Sequence, residues 1–153
     1  MRVYRISRPE YAATALLGNG TALAPGRWNS RGVRLAYTAT SVSLAMLEIL
    51  VHVHREDVPV ARRVLTYEVP DEAIEVLAPN RWPKGWDRLP YSDAVRTVGD
   101  RFVRDARHLA LRVPSAVARG ESNVLVNPAH RQFAQVQLLA DDPLALDPRL
   151  FGG

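Results

Sequence analysis

Between Leu44 and Val53 every residue is apolar except Glu48 and His52. Ser41 stands just ahead of this run as an N-cap, so the segment predicts a helix from Ser41 to about Val53. A helix that is apolar nearly all round is normally covered on most sides. The rest of the chain must therefore supply layers to enclose it, and 153 residues are enough to bury roughly 70% of the surface an unfolded chain exposes. Glu48 and His52 are four residues apart and share one stripe of the helix. A carboxylate in apolar surroundings is costly unless it is paired or faces a polar cavity. Glu48 is thus the first candidate for a functional group, with His52 as the neighbour that would orient it.

The flanking segments read mainly as strands. Val3 to Ile6 predicts a short strand, and Tyr11 to Leu17 a short helix ended by a turn at Gly18-Asn19-Gly20. Pro25-Gly26 marks a loop. Val33, Leu35 and Tyr37 then alternate with Arg34, Ala36 and Thr38, the two-residue period of a strand, with Tyr37 on its more apolar side. Ala61 to Val69 alternates again, and the segment from Pro79 to Pro90, with Trp82, Pro83, Gly85 and Trp86, is a loop. Ser92 caps a charged helix ending near His108, in which Asp100 and Arg104, and Arg101 and Asp105, have the spacing of self-paired charges. Strand-like runs follow at Leu109–Val113, Ser122–Val126 and Gln135–Leu139, the last leading into a tail rich in Pro and Asp. No repeat period appears, and strands and helices are interspersed without regular β-α-β spacing. One domain over residues 1–153 is expected, of α+β class with a mixed, mainly antiparallel sheet and packed helices.

Composition narrows the function classes. With 47% hydrophobic and 24% charged residues the chain has the balance of a globular domain. Without cysteine it has no disulfide, thiolate metal site or cysteine nucleophile. No stretch approaches the roughly 18 apolar residues of a membrane span, and a cytoplasmic protein is expected. The net charge of +4 and pI of about 10.0 suit nucleic acid or phosphate. Against nucleic acid, Lys84 is the sole lysine and the arginines are scattered among acids. His52 and His54 beside Glu48 lack the His-Glu-x-x-His spacing, so no metal is expected.

Three separated segments carry more specific information. They are Gly26-Arg27-Trp28-Asn29-Ser30-Arg31-Gly32; Tyr37 followed by Glu48; and Pro114-Ser115 with Glu121-Ser122-Asn123-Val124-Leu125-Val126-Asn127-Pro128-Ala129-His130. In this order they resemble the RES family, named for an arginine, a glutamate and a serine, whose members are toxins of bacterial toxin–antitoxin pairs. The matching positions are Arg27, Glu48 and Ser115, and the resemblance runs from the strand with Arg5 to His130. Pro25 before Gly26 and Arg131 after His130 depart from the family pattern without touching a catalytic candidate.

The resemblance implies a fold like that of diphtheria-toxin-type ADP-ribosyltransferases and an enzyme that breaks the nicotinamide–ribose bond of NAD⁺, passing ADP-ribose to phosphate, water or a protein. It implies catalytic roles for Glu48, Arg27 and Tyr37. Substrate contacts would come from Arg27, Tyr37, Trp28, Asn29 and Arg31 in the first half of the chain, and from His52, Ser115, Asn123 and Asn127 later. The chemistry suits these residue types. Positive charge grows on the ribose as nicotinamide leaves, so the site needs a carboxylate near the sugar, a cation for the pyrophosphate and a flat surface for the ring. No Gly-x-Gly-x-x-Gly is present, so NAD⁺ is expected as a substrate, with inorganic phosphate as a co-substrate in the phosphorolytic case, and no resident cofactor. The implied partner is an Xre-like helix-turn-helix antitoxin. The oligomeric state is left open, a homodimer included.

Each residue has a plainer role beside this one. Arg27 alone reads as the brace of a glycine-rich turn, and Tyr37 as a strand tyrosine with a satisfied hydroxyl. Ser115 has no Gly-x-Ser-x-Gly context and no adjacent base, which favours hydrogen bonding over nucleophilic attack. Asn123 and Asn127 hold either loops or ligand, and Asn127 before Pro128 is also a helix-start signal. The competing functions are a basic toxin that binds or cleaves nucleic acid, and a non-catalytic subunit docking through its tryptophan loop.

Overall fold

The structure, a computed structural model, describes residues 1–52 and 61–151. Val53 and His54 therefore lie outside the described residues. The chain folds around one seven-stranded sheet in the order β4-β5-β6-β2-β1-β3-β7. The strands are β1 (Arg2–Ser7), β2 (Ala36–Ala39), β3 (Arg62–Glu68), β4 (Ile74–Val76), β5 (Ala110–Pro114), β6 (Ser122–Val126) and β7 (Gln137–Leu144), and the helices are α1 (Asn19–Leu23), α2 (Val42–Leu50) and α3 (Asp93–Asp105). Among the described residues only β4 and β5 pair in parallel; the other ladders are antiparallel. This is the expected mixed, mainly antiparallel α+β architecture.

Alternation along the strands assigns the core. Val3, Leu65, Tyr67, Val124 and Val126 pack together on one face, with Ala15, Leu16 and the partly buried Phe133. The residues between them point the other way. Ile6, Ala39 and Val64 receive Leu44 and Ala45 of α2, while Leu111, Val113 and Leu125 receive Val95 and Phe102 of α3 with Trp28 and Leu35. Two helices thus cover neighbouring halves of the same face. The ladder between β1 and β2 consists of a single pair, Tyr4 with Ala39, whereas β1 and β3 pair along the whole of β1. Here the sheet parts, and Arg5 crosses the gap by donating from Nη1 to the Tyr37 carbonyl at 2.6 Å.

Several elements differ from the sequence expectations. The first helix is a 3₁₀ turn at Pro9–Thr14, and Gly18 at φ 65° leads into α1, where a turn is expected. The Gly18 conformation puts the chain against Leu35, so that a Cβ there would lie 2.6 Å from the Leu35 nitrogen. The strand through Tyr37 begins only at Ala36, and as an interior strand it is buried on both sides. Ser41 caps α2 as expected, accepting from the Leu44 N–H at 3.0 Å. Yet the helix is not enclosed: Leu47 is 42% and Val51 56% exposed, because only the side bearing Leu44 and Ala45 meets the sheet, and Val51 borders a cleft. Helix α3 is capped by Ser92 but stops at Asp105, where Ala106 turns left-handed at φ 44°. Asp100 does not pair with Arg104; it accepts from the Ser30 N–H at 2.8 Å and ties α3 to the loop after Trp28. Arg104 pairs with Asp105 instead. The three-residue β4 has too few residues for a periodic signal, and β7 continues through Asp141, Asp142 and Pro143 as an edge strand, where proline is tolerated.

Candidate active site

A cleft of about 810 Å³ opens where β1 and β2 part. Its lining includes Tyr4 and Arg5 from β1, Tyr37 and Thr38 from β2, Glu48, Val51 and His52 from α2 and the residues after it, and Ser115 and Asn123 from around β6. Arg27, Trp28, Asp87, Leu89 and Tyr91 complete the side formed by loops. A smaller cavity of about 440 Å³ between α3 and β4 contains Glu75, Arg81 and His108, but its Glu75 is already occupied by Arg81 at 2.9 Å and His108 at 3.5 Å. The larger cleft holds Glu48, Arg5 and Arg27, none of which forms an ion pair among the described residues, and it is the stronger candidate.

Glu48 is positioned by two donors on a single oxygen. Ser115 Oγ donates to Oε1 at 3.2 Å and Asn123 Nδ2 donates to the same atom at 3.0 Å. Ser115 is itself fixed, accepting from the Val117 and Ala118 N–H groups at 3.2 and 3.1 Å in the turn after β5. Asn123 is fixed by the ladder of β6 against β2 and β5. Oε2 of Glu48 and the buried Oδ1 of Asn123 make no hydrogen bond among the described residues. One carboxylate oxygen and one amide acceptor are thus left for a ligand. His52 plays no part in this arrangement: α2 ends at Leu50, which breaks the four-residue stripe, and His52 sits exposed at the cleft rim with no hydrogen bond to Glu48. Ser115 and Asn123 are what orient the carboxylate.

The cationic side is built from Arg5 and Arg27. Arg5 Nε is buried without a partner, and no carboxylate pairs with its guanidinium among the described residues. Burial pushes its pKa down, with the Tyr67 phenol opposing that shift. Arg27 Nη1 donates to the Trp86 and Arg88 carbonyls at 2.7 and 3.0 Å, and its guanidinium lies 4.6 Å from the Tyr91 ring centre. Its partners are neutral, so its charge stays available to an anion. Arg27 braces a loop, as its plainer role allows, but the tryptophan loop and not its own turn.

Tyr37 presents its ring to the cleft, while its hydroxyl accepts from the Trp28 N–H at 2.9 Å and donates to Asn29 Oδ1 at 2.7 Å. Burial pushes its pKa up, the Trp28 hydrogen bond opposing that shift, so the group stays a neutral phenol. Gly26 makes room for it, since a Cβ there would lie 2.7 Å from the Tyr37 oxygen. Asn29 is fully buried and holds the loop, accepting also from the Gly26 N–H and donating to the Thr21 and Val33 carbonyls. It lies behind Tyr37 and outside the cleft lining. Asn127 also stands away from the cleft, donating to the Val103 carbonyl and accepting from the Ala129 N–H. Arg31 is exposed and does not line the cleft. Trp28 is buried against Trp86, ring centres 6.3 Å apart, and reaches the cleft from its edge.

The cleft therefore unites Glu48, Arg27, Tyr37, Trp28, His52, Ser115 and Asn123 and leaves out Asn29, Arg31 and Asn127. Arg5, Asp87 and Tyr91 are additional lining residues. An arginine in the middle of the first strand is the signal that could have marked Arg5; Asp87 and Tyr91 lie in a loop whose course no periodicity reveals.

The sequence profile of the RES domain matches residues 2–147. The chain is 38% identical over 152 residues to the protein Toxin Res of Yersinia enterocolitica, covering 98% of this chain and 99% of that protein. It is 36% identical over 143 residues to the Prs ADP-ribosylating toxin of a Sphingobium species, covering 92% and 89%. Among solved structures it superposes with TM-score 0.79 and 22% identity on a chain of the M. tuberculosis MbcT–MbcA toxin–antitoxin complex, covering 98% of this chain and 86% of that one. With the profile spanning nearly all of the sequence, and Arg27, Glu48 and Ser115 meeting around one cleft, the chain belongs to the RES domain family.

Proposed function

We propose that this protein is a toxin that cleaves the nicotinamide–ribose bond of NAD⁺, held in check by a cognate antitoxin. The observation that carries this reading is Glu48, fixed through one oxygen by Ser115 and Asn123, in the same cleft as two guanidiniums that no carboxylate neutralises among the described residues. NAD⁺ needs that combination. Arg5 and Arg27 would take the pyrophosphate, and the Tyr37 ring gives the pyridinium a flat neighbour. When the glycosidic bond breaks, its electron pair leaves with neutral nicotinamide, and the positive charge developing on the ribose falls to Glu48. Attack by phosphate gives ADP-ribose phosphate and attack by water gives ADP-ribose. A protein acceptor is suggested by the name of the Sphingobium relative. NAD⁺ is a substrate in this scheme, and no resident cofactor or metal is required. We place the reaction in the cytoplasm; no helix among the described residues is long and apolar enough to cross a membrane.

Incubation of the purified protein with NAD⁺, with and without phosphate, followed by identification of the products, tests the reading. The wild type releases nicotinamide, and Glu48→Gln retains the fold with turnover lower by about 10² to 10³, the usual loss for one preorganised electrostatic group. Folded Glu48→Gln with wild-type turnover would remove the mechanism.

A further inference from the structure

Two loops meet at the mouth of the cleft. One runs from Trp82 to Tyr91, brings Asp87 to the lining and supplies the Trp86 and Arg88 carbonyls that hold Arg27. The other connects β5 to β6 and carries Ser115, which holds Glu48. They are joined by one ion pair, Arg119 Nη2 to Asp87 Oδ2 at 3.1 Å. The Arg119 side chain is 88% exposed and does not line the cleft. Asp87 and Glu48 are the two acids among the described lining residues.

We propose that Asp87 and Arg119 are positioning residues for NAD⁺ cleavage, forming a strap that fixes the tryptophan loop against the β5–β6 loop and so sets the separation of Arg27 from Glu48. The idea rests on the function proposed above for its substrate, and on geometry alone for the strap. Neither residue touches the reacting atoms. Each acts through another: Asp87 through the loop whose carbonyls hold Arg27, and Arg119 through the loop that holds Ser115. An exposed ion pair contributes little to stability, so the strap opens at low cost for a substrate to pass, yet it biases the two loops toward the spacing that a pyrophosphate-linked ribose must span.

The alternative role for Asp87 is simple repulsion of an anion, and the two ideas predict different signs. Repulsion alone makes Asp87→Asn lower KM while Arg119→Gln raises it. A strap makes both substitutions raise KM, by about two- to fivefold given the small energy of an exposed pair, with the rise in KM exceeding any fall in kcat. The strap is also read without substrate, by amide hydrogen exchange at Trp86 and Arg88, whose N–H groups bond the Pro83 and Gly85 carbonyls within the loop. Exchange at these amides is expected to accelerate in both single variants and to slow again in the charge-reversed double variant Asp87→Arg with Arg119→Asp. Opposite signs in KM, or exchange in the single variants equal to wild type, would overturn the strap. Should the wild type leave NAD⁺ intact, the substrate reading falls, and the exchange comparison still decides whether the pair holds the loops.

Discussion

Tyr37 shows how one residue serves fold and site together. Its hydroxyl closes a chain from the Trp28 N–H to Asn29 Oδ1, and its ring stays at the cleft. Tyr37→Phe keeps the ring but leaves the Trp28 N–H without its partner and Asn29 Oδ1 with only the Gly26 N–H, so stability falls by about 1–3 kcal/mol while NAD⁺ affinity changes little. Tyr37→Ala removes the surface as well and weakens binding. Denaturant unfolding and NAD⁺ titration separate the two. The pH dependence follows from the raised phenol pKa, caused chiefly by burial. A group whose folded pKa exceeds its unfolded value stabilises the fold fully below the unfolded pKa, about 10 for tyrosine, and loses that contribution as pH rises toward the folded value. Unfolding free energy should therefore decline as pH climbs above about 10, with a shallower decline in Tyr37→Phe. Equal slopes in the two proteins would show that the phenol is not the titrating group.

At the scale of elements, the close approach of α3 holds the loop of Trp28 that carries Arg27. Asp100 accepts the Ser30 N–H, and at Gly99 a Cβ would overlap the Trp28 carbonyl oxygen. Gly99→Ala must push the helix away from backbone that cannot yield as a side chain does, costing about 1–3 kcal/mol, and the displaced Trp28 carries Arg27 with it. Gly20 in α1 has open space around its Cβ position, so Gly20→Ala should match or slightly exceed wild-type stability. Thermal melts of both variants, with NAD⁺ cleavage measured on the folded fractions, check the contrast. These contacts also mark what the sequence could convey. Local chemistry revealed the Ser41 and Ser92 caps, the full span of β6 and the unusual Glu48, because each depends on a few adjacent residues. The partial exposure of α2, the interior position of β2, the tie from Asp100 to Ser30 and the contribution of Arg5 depend on which distant segments meet. Periodicity carries no record of that, and for the same reason Asn29, expected at the ligand, turns out to hold a loop, and Asn127, read as holding either a loop or the ligand, ties its loop to α3.

At the scale of the molecule, the proposed chemistry has to be restrained. An enzyme that drains NAD⁺ would harm the cell that makes it, and we infer that an antitoxin of the Xre-like helix-turn-helix type, encoded beside this gene, covers the cleft. The chain carries a net charge of +4, and its cleft contains Arg5 and Arg27 without neutralising carboxylates among the described residues. An acidic segment of the partner would meet complementary potential there and would compete with the pyrophosphate of NAD⁺ for the same guanidiniums. Expressed alone, the wild-type chain should arrest growth as cellular NAD⁺ falls; co-expressed with its neighbour it should do neither, and Glu48→Gln should be harmless in both settings because the charge-stabilising carboxylate is gone. Added antitoxin should raise the apparent KM for NAD⁺ in vitro without changing kcat, the signature of competition for one site. Arrest that persists in Glu48→Gln, or that sets in with NAD⁺ unchanged, would detach toxicity from the cleft carboxylate and bring forward a basic toxin acting on nucleic acid, whose binding would weaken steeply with added salt.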